Sequence, residues 1–224
     1  MQFIKVTDQV EASTILIDEV TKATDKNQKV LWLVSGGSNI VIFAAAFNKL
    51  SQQQKDKLTI MLSDERFGDV DHPDSNYFKL KNAGVDFTTV NSIPVLTSSV
   101  KDFDSTVMKY NDHLEETLNE SDFVIAQIGI GTDGHTLGIL PNSSAVNNDK
   151  EYVFGYTGPD FQRITMTFFA LRKVNKTLVF CLGIDKSEAL INLRDKDLSL
   201  EEEPAQIFKD LNEVYIINST IGDK

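Results

Sequence analysis

The chain is poor in cysteine and histidine, and both shortages limit what the protein can be. Its single cysteine, Cys181, excludes an intramolecular disulfide. Because Cys181 lies in the apolar run 178–182, we expect a buried structural thiol rather than a nucleophile. One cysteine and three scattered histidines do not have the spacing of a zinc site, so no metal is predicted.

Positive charge is also scarce. The formal net charge of −11 argues against a general binder of nucleic acid or of anionic membranes. A site for an anionic ligand would therefore have to be locally cationic against this background. Arginine occurs only at positions 66, 163, 172 and 194, so the placement of these residues is informative. We expect Arg172 and Arg194 to lie on the surface.

Long apolar runs are missing as well. None approaches the length needed to span a bilayer, and residues 1–6 lack the basic and apolar regions of a signal peptide. We therefore expect a cytoplasmic protein with no membrane partner. The length of 224 residues is typical of one domain, which we place at residues 1–224.

What the chain does have is a regular alternation of short apolar runs and amphipathic segments. This alternation predicts an α/β protein with a mostly parallel sheet and helices on both faces. The acidic run 201–204 is interpreted as a solvated linker. The predicted strands lie at about 2–6, 30–34, 58–62, 93–96, 123–128, 152–156, 163–168, 177–182 and 214–218, and the predicted helices at about 8–24, 40–50, 76–82, 102–120 and 183–194.

The stretch 128–135 is the first candidate site. It follows an apolar strand and reads Ile-Gly-Ile-Gly-Thr-Asp-Gly-His. Glycines such as Gly131 let a ligand approach the backbone closely, and His135 places an imidazole at the end of the loop. In open α/β sheets ligands bind beyond the carboxyl ends of the strands, where this loop would lie. The alternative interpretation is a tight turn with a solvated histidine.

The turn 35–39 is the second candidate. It joins a predicted strand to a helix and contains Gly36, Gly37 and Ser38. Free backbone N–H groups and the helix dipole favour an anion such as phosphate there, and we expect Ser38 to cap the helix and donate its hydroxyl. The turn matches neither a Walker A loop nor a complete GxGxxG, so nucleotide binding is not indicated. An ordinary capped turn remains the alternative.

Charged residues supply the remaining candidates. Asp64, Glu65 and Arg66 follow a predicted strand, Arg163 begins another, and Lys186 lies in the first turn of a helix. A cation at a helix N-terminus is unfavourable unless an anion binds nearby, so Lys186 points to such a ligand. The two acids have an alternative role, since they could simply orient Arg66 or cap the loop.

Five stretches together resemble the 6-phosphogluconolactonase family. They occur in that family's order and spacing, and they read VSGGSN (34–39), SDERFGDVDHPDSNY (63–77), IGIGTDGHTLGILPNS (128–143), RITMTF (163–168) and LGIDKSEAL (182–190). The resemblance implies a Rossmann-like three-layer α/β sandwich. It also implies hydrolysis of 6-phospho-D-glucono-1,5-lactone to 6-phosphogluconate, the second step of the oxidative pentose phosphate pathway, without a cofactor.

The roles of the site residues follow partly from the resemblance and partly from chemistry. The family assigns the general base to the histidine that matches His135, and Asp133 could orient or tune it. The backbone N–H groups of residues 129–134, which include Gly131, could stabilise the oxyanion together with Arg66. Asp64 could bind substrate hydroxyls.

The phosphate of the substrate would lie on the turn formed by Gly36, Gly37 and Ser38. Arg163 and Lys186 would hold it, and arginine is suited to bidentate contact with phosphate. Two departures from the family pattern concern this region: Gly138 replaces a common serine, and residues 159–162 lack a lysine often found before the RIT stretch.

Two other functions are weighed against the lactonase. Glucosamine-6-phosphate deaminases share the SGG turn and the DGH stretch, but the resemblance places a catalytic glutamate five residues after the histidine, where this chain has Leu140. They also commonly carry an aromatic residue where this chain has Arg66. The second alternative is a sugar-phosphate-binding protein without turnover. A monomer or a homodimer is expected.

Overall fold

The computed structural model describes residues 1–100 and 102–222, and its centre is a parallel sheet. Seven strands form this sheet, and all of its neighbouring strand pairs are parallel. The strands of the described chain are β1 (Gln2–Lys5), β2 (Val30–Val34), β3 (Leu58–Leu62), β4 (Asp64–Arg66), β5 (Asn91–Ile93), β6 (Phe123–Gly129), β7 (Val153–Thr157), β8 (Gln162–Met166), β9 (Lys176–Cys181) and β10 (Val214–Asn218).

The central strands form because they are almost wholly apolar. All five residues of β2 are buried, as is typical of a parallel strand that is covered on both faces. Cys181 is buried at the end of β9, as predicted, and burial raises the pKa of its thiol to about 12.

Helices surround the sheet, and the predicted α/β class is confirmed. Asp8 caps the first helix as predicted, since its carboxylate accepts hydrogen bonds from the amides of Val10 and Glu11. The α-helices are α1 (Gln9–Lys26), α2 (Ile40–Phe47), α3 (Gln52–Lys55), α4 (Asn76–Asn82), α5 (Phe103–Glu120), α6 (Phe168–Leu171) and α7 (Ser187–Asp195). Across the described residues, no helix is long and apolar enough to cross a membrane.

The order of the strands places two of the predicted site loops side by side. The sheet runs β1-β10-β9-β6-β2-β3-β5, so β2 has the next strand in the chain on one side and β6 on the other. The chain thus changes direction between β2 and β6, and this kind of switch point leaves a crevice at the carboxyl ends of the strands. The turn 35–39 and the loop 129–135 both begin there.

A second, three-stranded antiparallel sheet was not predicted. It has the order β4-β8-β7, and its first strand is the segment 64–66, which the sequence suggested only as a loop. In this sheet Arg66 lies directly opposite Arg163. The small sheet therefore joins two segments that are almost a hundred residues apart.

Candidate functional site

The predicted site loops converge on a cleft of about 340 Å³ at the switch point. All of the candidate site residues except Glu65 and Asp133 line it. The lining residues are Ser35, Gly36, Gly37, Ser38, Asn39, Asp64, Arg66, Asn76, Gly129, Ile130, Gly131, His135, Leu137, Arg163 and Lys186. Three of them are cations, which makes the cleft locally positive in a protein whose net charge is −11.

The turn after β2 differs from its prediction in one respect. Gly37 has a φ of 67°, a left-handed conformation that favours glycine, and residues 37–39 form a 3₁₀ turn before α2. The prediction that Ser38 caps the helix is wrong, because Asn39 occupies the N-cap position and makes no side-chain cap. Instead, the Oγ of Ser38 accepts a hydrogen bond from Nζ of Lys186 at 3.0 Å. This bond ties the turn to the start of α7.

His135 is paired with Asp133, a contact that the sequence could not establish. Nδ1 of His135 lies 2.5 Å from Oδ1 of Asp133, whose Oδ1 also accepts the amide of His135 at 3.1 Å. The hydrogen bond from His135 holds the pKa of the Asp133 carboxyl below its ordinary value. An ionised carboxylate only accepts, so Nδ1 carries a proton, and in the neutral imidazole the lone pair is therefore on Nε2.

Gly131 is needed for this pair on steric grounds. A Cβ at position 131 would lie 2.1 Å from Nδ1 of His135 and 2.7 Å from Oδ1 of Asp133. The imidazole therefore rests on the bare Cα of Gly131. Space, rather than an unusual backbone conformation, explains this glycine.

The loop amides are less available than the sequence suggested. The amide of Gly131 donates to the carbonyl of His135 at 2.9 Å, and the amide of Gly134 donates to the carbonyl of Gly131 at 3.1 Å. These two N–H groups close the loop on itself. The expected oxyanion role of the 129–134 amides is therefore wrong for these two.

Arg66 and Arg163 enter the cleft from adjacent strands of the small sheet. Arg66 donates from Nη1 to the carbonyl of Asp74 at 3.1 Å. Nη2 of Arg163 lies 2.8 Å and 3.0 Å from the two oxygens of Asp160. Burial raises the pKa of Asp160, but the pairing with Arg163 outweighs it and holds that pKa below its ordinary value. The ring of Phe161 lies beside both guanidinium groups.

The two acids of β4 have different surroundings. Glu65 points away from the cleft and accepts hydrogen bonds from the amides of Asn76 and Tyr77 and from the hydroxyl of Ser75, so its role is to cap α4. Burial raises the pKa of Glu65, while these bonds oppose the shift. Asp64 instead lines the cleft, and its two carboxylate oxygens accept hydrogen bonds from Ser63 and Asn76.

Gly138, which replaces a serine common in the family, is explained by its close approach to Thr165 and Asp64. A Cβ at position 138 would lie 2.9 Å from Cβ of Thr165 and 3.2 Å from Cβ of Asp64. The amide of Gly138 also donates to Oγ1 of Thr165 at 3.0 Å. The loop thus packs closely against the small sheet, in a space that a serine would overfill.

Two asparagines in the cleft were not predicted. Asn39 and Asn76 are buried, and both line the cavity. Asn76 donates from Nδ2 to the backbone carbonyl of Asp64 at 3.0 Å and to its Oδ2 at 3.1 Å. Asn76 belongs to the SNY end of the 63–77 stretch, so the resemblance could have drawn attention to it.

The acidic run 201–204 is only partly a solvated linker. Glu201 and Glu202 are exposed, but Glu203 is 3% exposed and its carboxylate oxygens have no hydrogen-bond partner among the described residues. A Cβ on Gly134 would lie 2.4 Å from Cγ of Glu203, and the amide of Ala205 donates to the carbonyl of Gly134. The segment therefore supports the loop that carries His135, and burial raises the pKa of Glu203.

Replacing Glu203 with glutamine is expected to stabilise the protein at pH 8 and to have little effect at pH 4. The raised pKa means that the native state holds the proton more tightly than the unfolded state does. Stability is therefore lost as the pH rises from the ordinary glutamate pKa, about 4.3, through the raised one. The neutral amide avoids this loss. Thermal unfolding at the two pH values measures the difference.

Glu201→Gln is the matched control, because Glu201 is exposed and its replacement is expected to change stability by less than about 0.5 kcal/mol. An E203Q variant that unfolds at a lower temperature than the wild type at pH 8 would show that the carboxylate is needed in its ionised form.

Fold and cleft together define a class. A parallel α/β sheet with a cationic crevice at its switch point is the architecture of a protein that binds a small anionic molecule. Residues 8–216 match the family described as glucosamine-6-phosphate isomerases/6-phosphogluconolactonase, and the chain belongs to this family.

Individual relatives agree with this assignment. A 6-phosphogluconolactonase from Borreliella burgdorferi is 24% identical over 233 residues, covering 100% of this chain and 98% of its own. The crystal structure of a 6-phosphogluconolactonase from Shewanella baltica has the same fold, with a TM-score of 0.83, 16% identity and coverage of 97% of both chains. A monomeric glucosamine-6-phosphate deaminase also shares it, with a TM-score of 0.81, 17% identity and coverage of 97% of both chains.

Proposed function

We propose that this protein hydrolyses 6-phospho-D-glucono-1,5-lactone to 6-phosphogluconate. The observation that carries the proposal is the pairing of Asp133 with His135 at the edge of a cationic cleft. Such a pair activates water, and the cations match a phosphorylated substrate. Membership of the family and the name of the Borreliella burgdorferi relative support the same reaction.

In the proposed reaction His135 acts as the general base. Asp133 holds the imidazole with its proton on Nδ1, so Nε2 takes a proton from water as the oxygen attacks the lactone carbonyl. The carboxylate also stabilises the imidazolium that forms. The proton on Nε2 then passes to the ring oxygen as the C–O bond breaks, which yields the open-chain acid.

The remaining charged residues would bind the substrate and the oxyanion. The phosphate would lie at the turn of Gly36, Gly37 and Ser38, between Lys186 and Arg163, and the oxyanion would face Arg66. Lys186 already contacts Ser38, so this cation stands beside the turn before any ligand arrives.

The alternative from the same family is a glucosamine-6-phosphate deaminase. Its catalytic glutamate would stand at position 140, where this chain has Leu140. Leu140 lies in a neighbouring groove and does not line the cleft. Among the described residues that line the cleft, Asp64 is the acid. The described part of the cleft lining therefore has no glutamate that could take the role of the deaminase's catalytic residue.

The proposal is tested by following acid release from freshly generated 6-phosphogluconolactone, with the spontaneous rate subtracted. Glucosamine-6-phosphate is offered in parallel, and ammonia is measured. Fast lactone turnover supports the proposal. Ammonia release without lactone turnover would make the protein a deaminase, and inactivity on both substrates would indicate a binding protein.

A further inference from the structure

Asn76 connects two parts of the cleft that would bind different ends of a substrate. It is the first residue of α4, and its backbone N–H donates to Oε1 of Glu65 at 2.7 Å. Its side chain extends from there into the wall between Asp64 and the Gly36 turn. The residue is 1% exposed.

On one side, Asn76 orients Asp64. Its Nδ2 lies 3.0 Å from the carbonyl oxygen and 3.1 Å from Oδ2 of Asp64. Both partners are acceptors, which fixes the orientation of the amide. The other carboxylate oxygen, Oδ1, accepts from the hydroxyl of Ser63 at 3.2 Å. The carboxylate plane of Asp64 is thus held by two neighbours.

On the other side, Asn76 packs against the turn. A Cβ at position 36 would lie 2.0 Å from Oδ1 and 2.2 Å from Cγ of Asn76. The amide group therefore lies directly on the Cα of Gly36. Oδ1 has no hydrogen-bond partner among the described residues, so this side of the contact depends on shape.

We infer that Asn76 is a positioning residue that fixes the distance between the hydroxyl-binding carboxylate of Asp64 and the phosphate-binding turn at Gly36. The inference rests on the proposed function, since it assigns the two ends of a phosphorylated sugar lactone to these two groups. With the distance fixed, binding of the phosphate places the lactone ring for attack. Binding energy from a remote group accelerates a reaction only when the framework between the two is rigid.

The test compares Asn76→Ala with the wild type on two substrates, 6-phosphogluconolactone and unphosphorylated gluconolactone. The wild type is expected to prefer the phosphorylated lactone in kcat/KM, and N76A is expected to reduce this preference at least about tenfold, with losses in both kcat and KM. An equal loss on both lactones would overturn the inference, because it would mean that Asn76 supports only Asp64 or the fold.

Ser75→Ala is the matched control. Ser75 precedes Asn76, caps α4 and bonds to Glu65, but it does not line the cleft. Its replacement weakens the same helix, so it reports the purely structural effect and is expected to leave the substrate preference within about twofold of the wild type. A preference that falls as much in S75A as in N76A would also overturn the inference.

A second variant separates the loss of the hydrogen-bond donor from the loss of side-chain volume, and a binding measurement tests the inference without turnover. Asn76→Leu keeps nearly the same shape beside Gly36 but has no donor for Asp64, and it is expected to reduce the preference as N76A does. By calorimetry, N76A is expected to weaken 6-phosphogluconate binding about tenfold and inorganic phosphate binding less than twofold.

These measurements separate the inference from the proposed function. If the wild type binds 6-phosphogluconate but does not hydrolyse the lactone, the proposed function is wrong. The inference is then tested by calorimetry alone, through the affinity of N76A for 6-phosphogluconate. Unchanged 6-phosphogluconate binding in N76A would overturn the inference, and so would a wild type that binds neither ligand.

Discussion

Replacing His135 with alanine is expected to lower kcat/KM for 6-phosphogluconolactone by about 10²- to 10⁴-fold, the contribution typical of a general base. The variant keeps the cleft and its cations, so KM should change much less than kcat. The carboxylate of Asp133 cannot replace the imidazole, because even an aspartate with the ordinary pKa of about 3.9 is a much weaker base than an imidazole. Acid release, corrected for spontaneous hydrolysis, measures the loss.

Two further variants are compared with H135A in the same assay. His113→Ala is the control, since His113 lies on α5 outside the cleft, and full activity is expected. Asp133→Asn should fall between the wild type and H135A, because the imidazolium that forms during the reaction loses its carboxylate partner. If H135A retained wild-type turnover, the general base would have to be another group.

Replacing Gly131 with alanine is expected to reduce kcat/KM by at least about 100-fold, although the residue has no functional group. The new methyl would lie 2.1 Å from Nδ1 of His135, so the imidazole would have to leave its position. A displacement of about 1 Å can cost a factor of about 10² in rate. The same assay measures the effect, and circular dichroism checks the fold.

The control for this substitution is Gly222→Ala, where an added Cβ would meet nothing within 4 Å. It is expected to have wild-type activity and stability. Full activity in G131A would mean that the loop relaxes at little cost, and that the His135–Asp133 pair does not need its present position.

Much of the fold followed from local patterns in the sequence. Buried parallel strands such as β2 and β6 are nearly continuous apolar runs, and the helix α4 was predicted with its bounds unchanged. The strand predicted at 93–96 forms instead at Asn91–Ile93, because its pairing with β3 decides its position. Boundaries that depend on a partner strand are not encoded locally.

The parts that could not be predicted depend on contacts between distant segments. The segment Asp64–Arg66 is three charged residues, a composition that predicts a loop, and it becomes a strand because β8 pairs with it. Glu203 is buried under Gly134 by tertiary packing, although acidic residues favour solvent. The role of Asn76 is likewise visible only when Gly36 and Asp64 stand on either side of it.

The facing arginines of the small sheet imply a conflict between stability and activity. Like charges directly opposite each other on neighbouring strands destabilise a sheet by a few tenths of a kcal/mol to about 1 kcal/mol, and Arg66 and Arg163 are such a pair. An engineering campaign that selected for heat resistance without ligand would therefore favour neutral residues at these positions. It would yield more stable variants without the charges that the proposed phosphate and oxyanion sites require, so heat resistance should be screened with a phosphorylated ligand present.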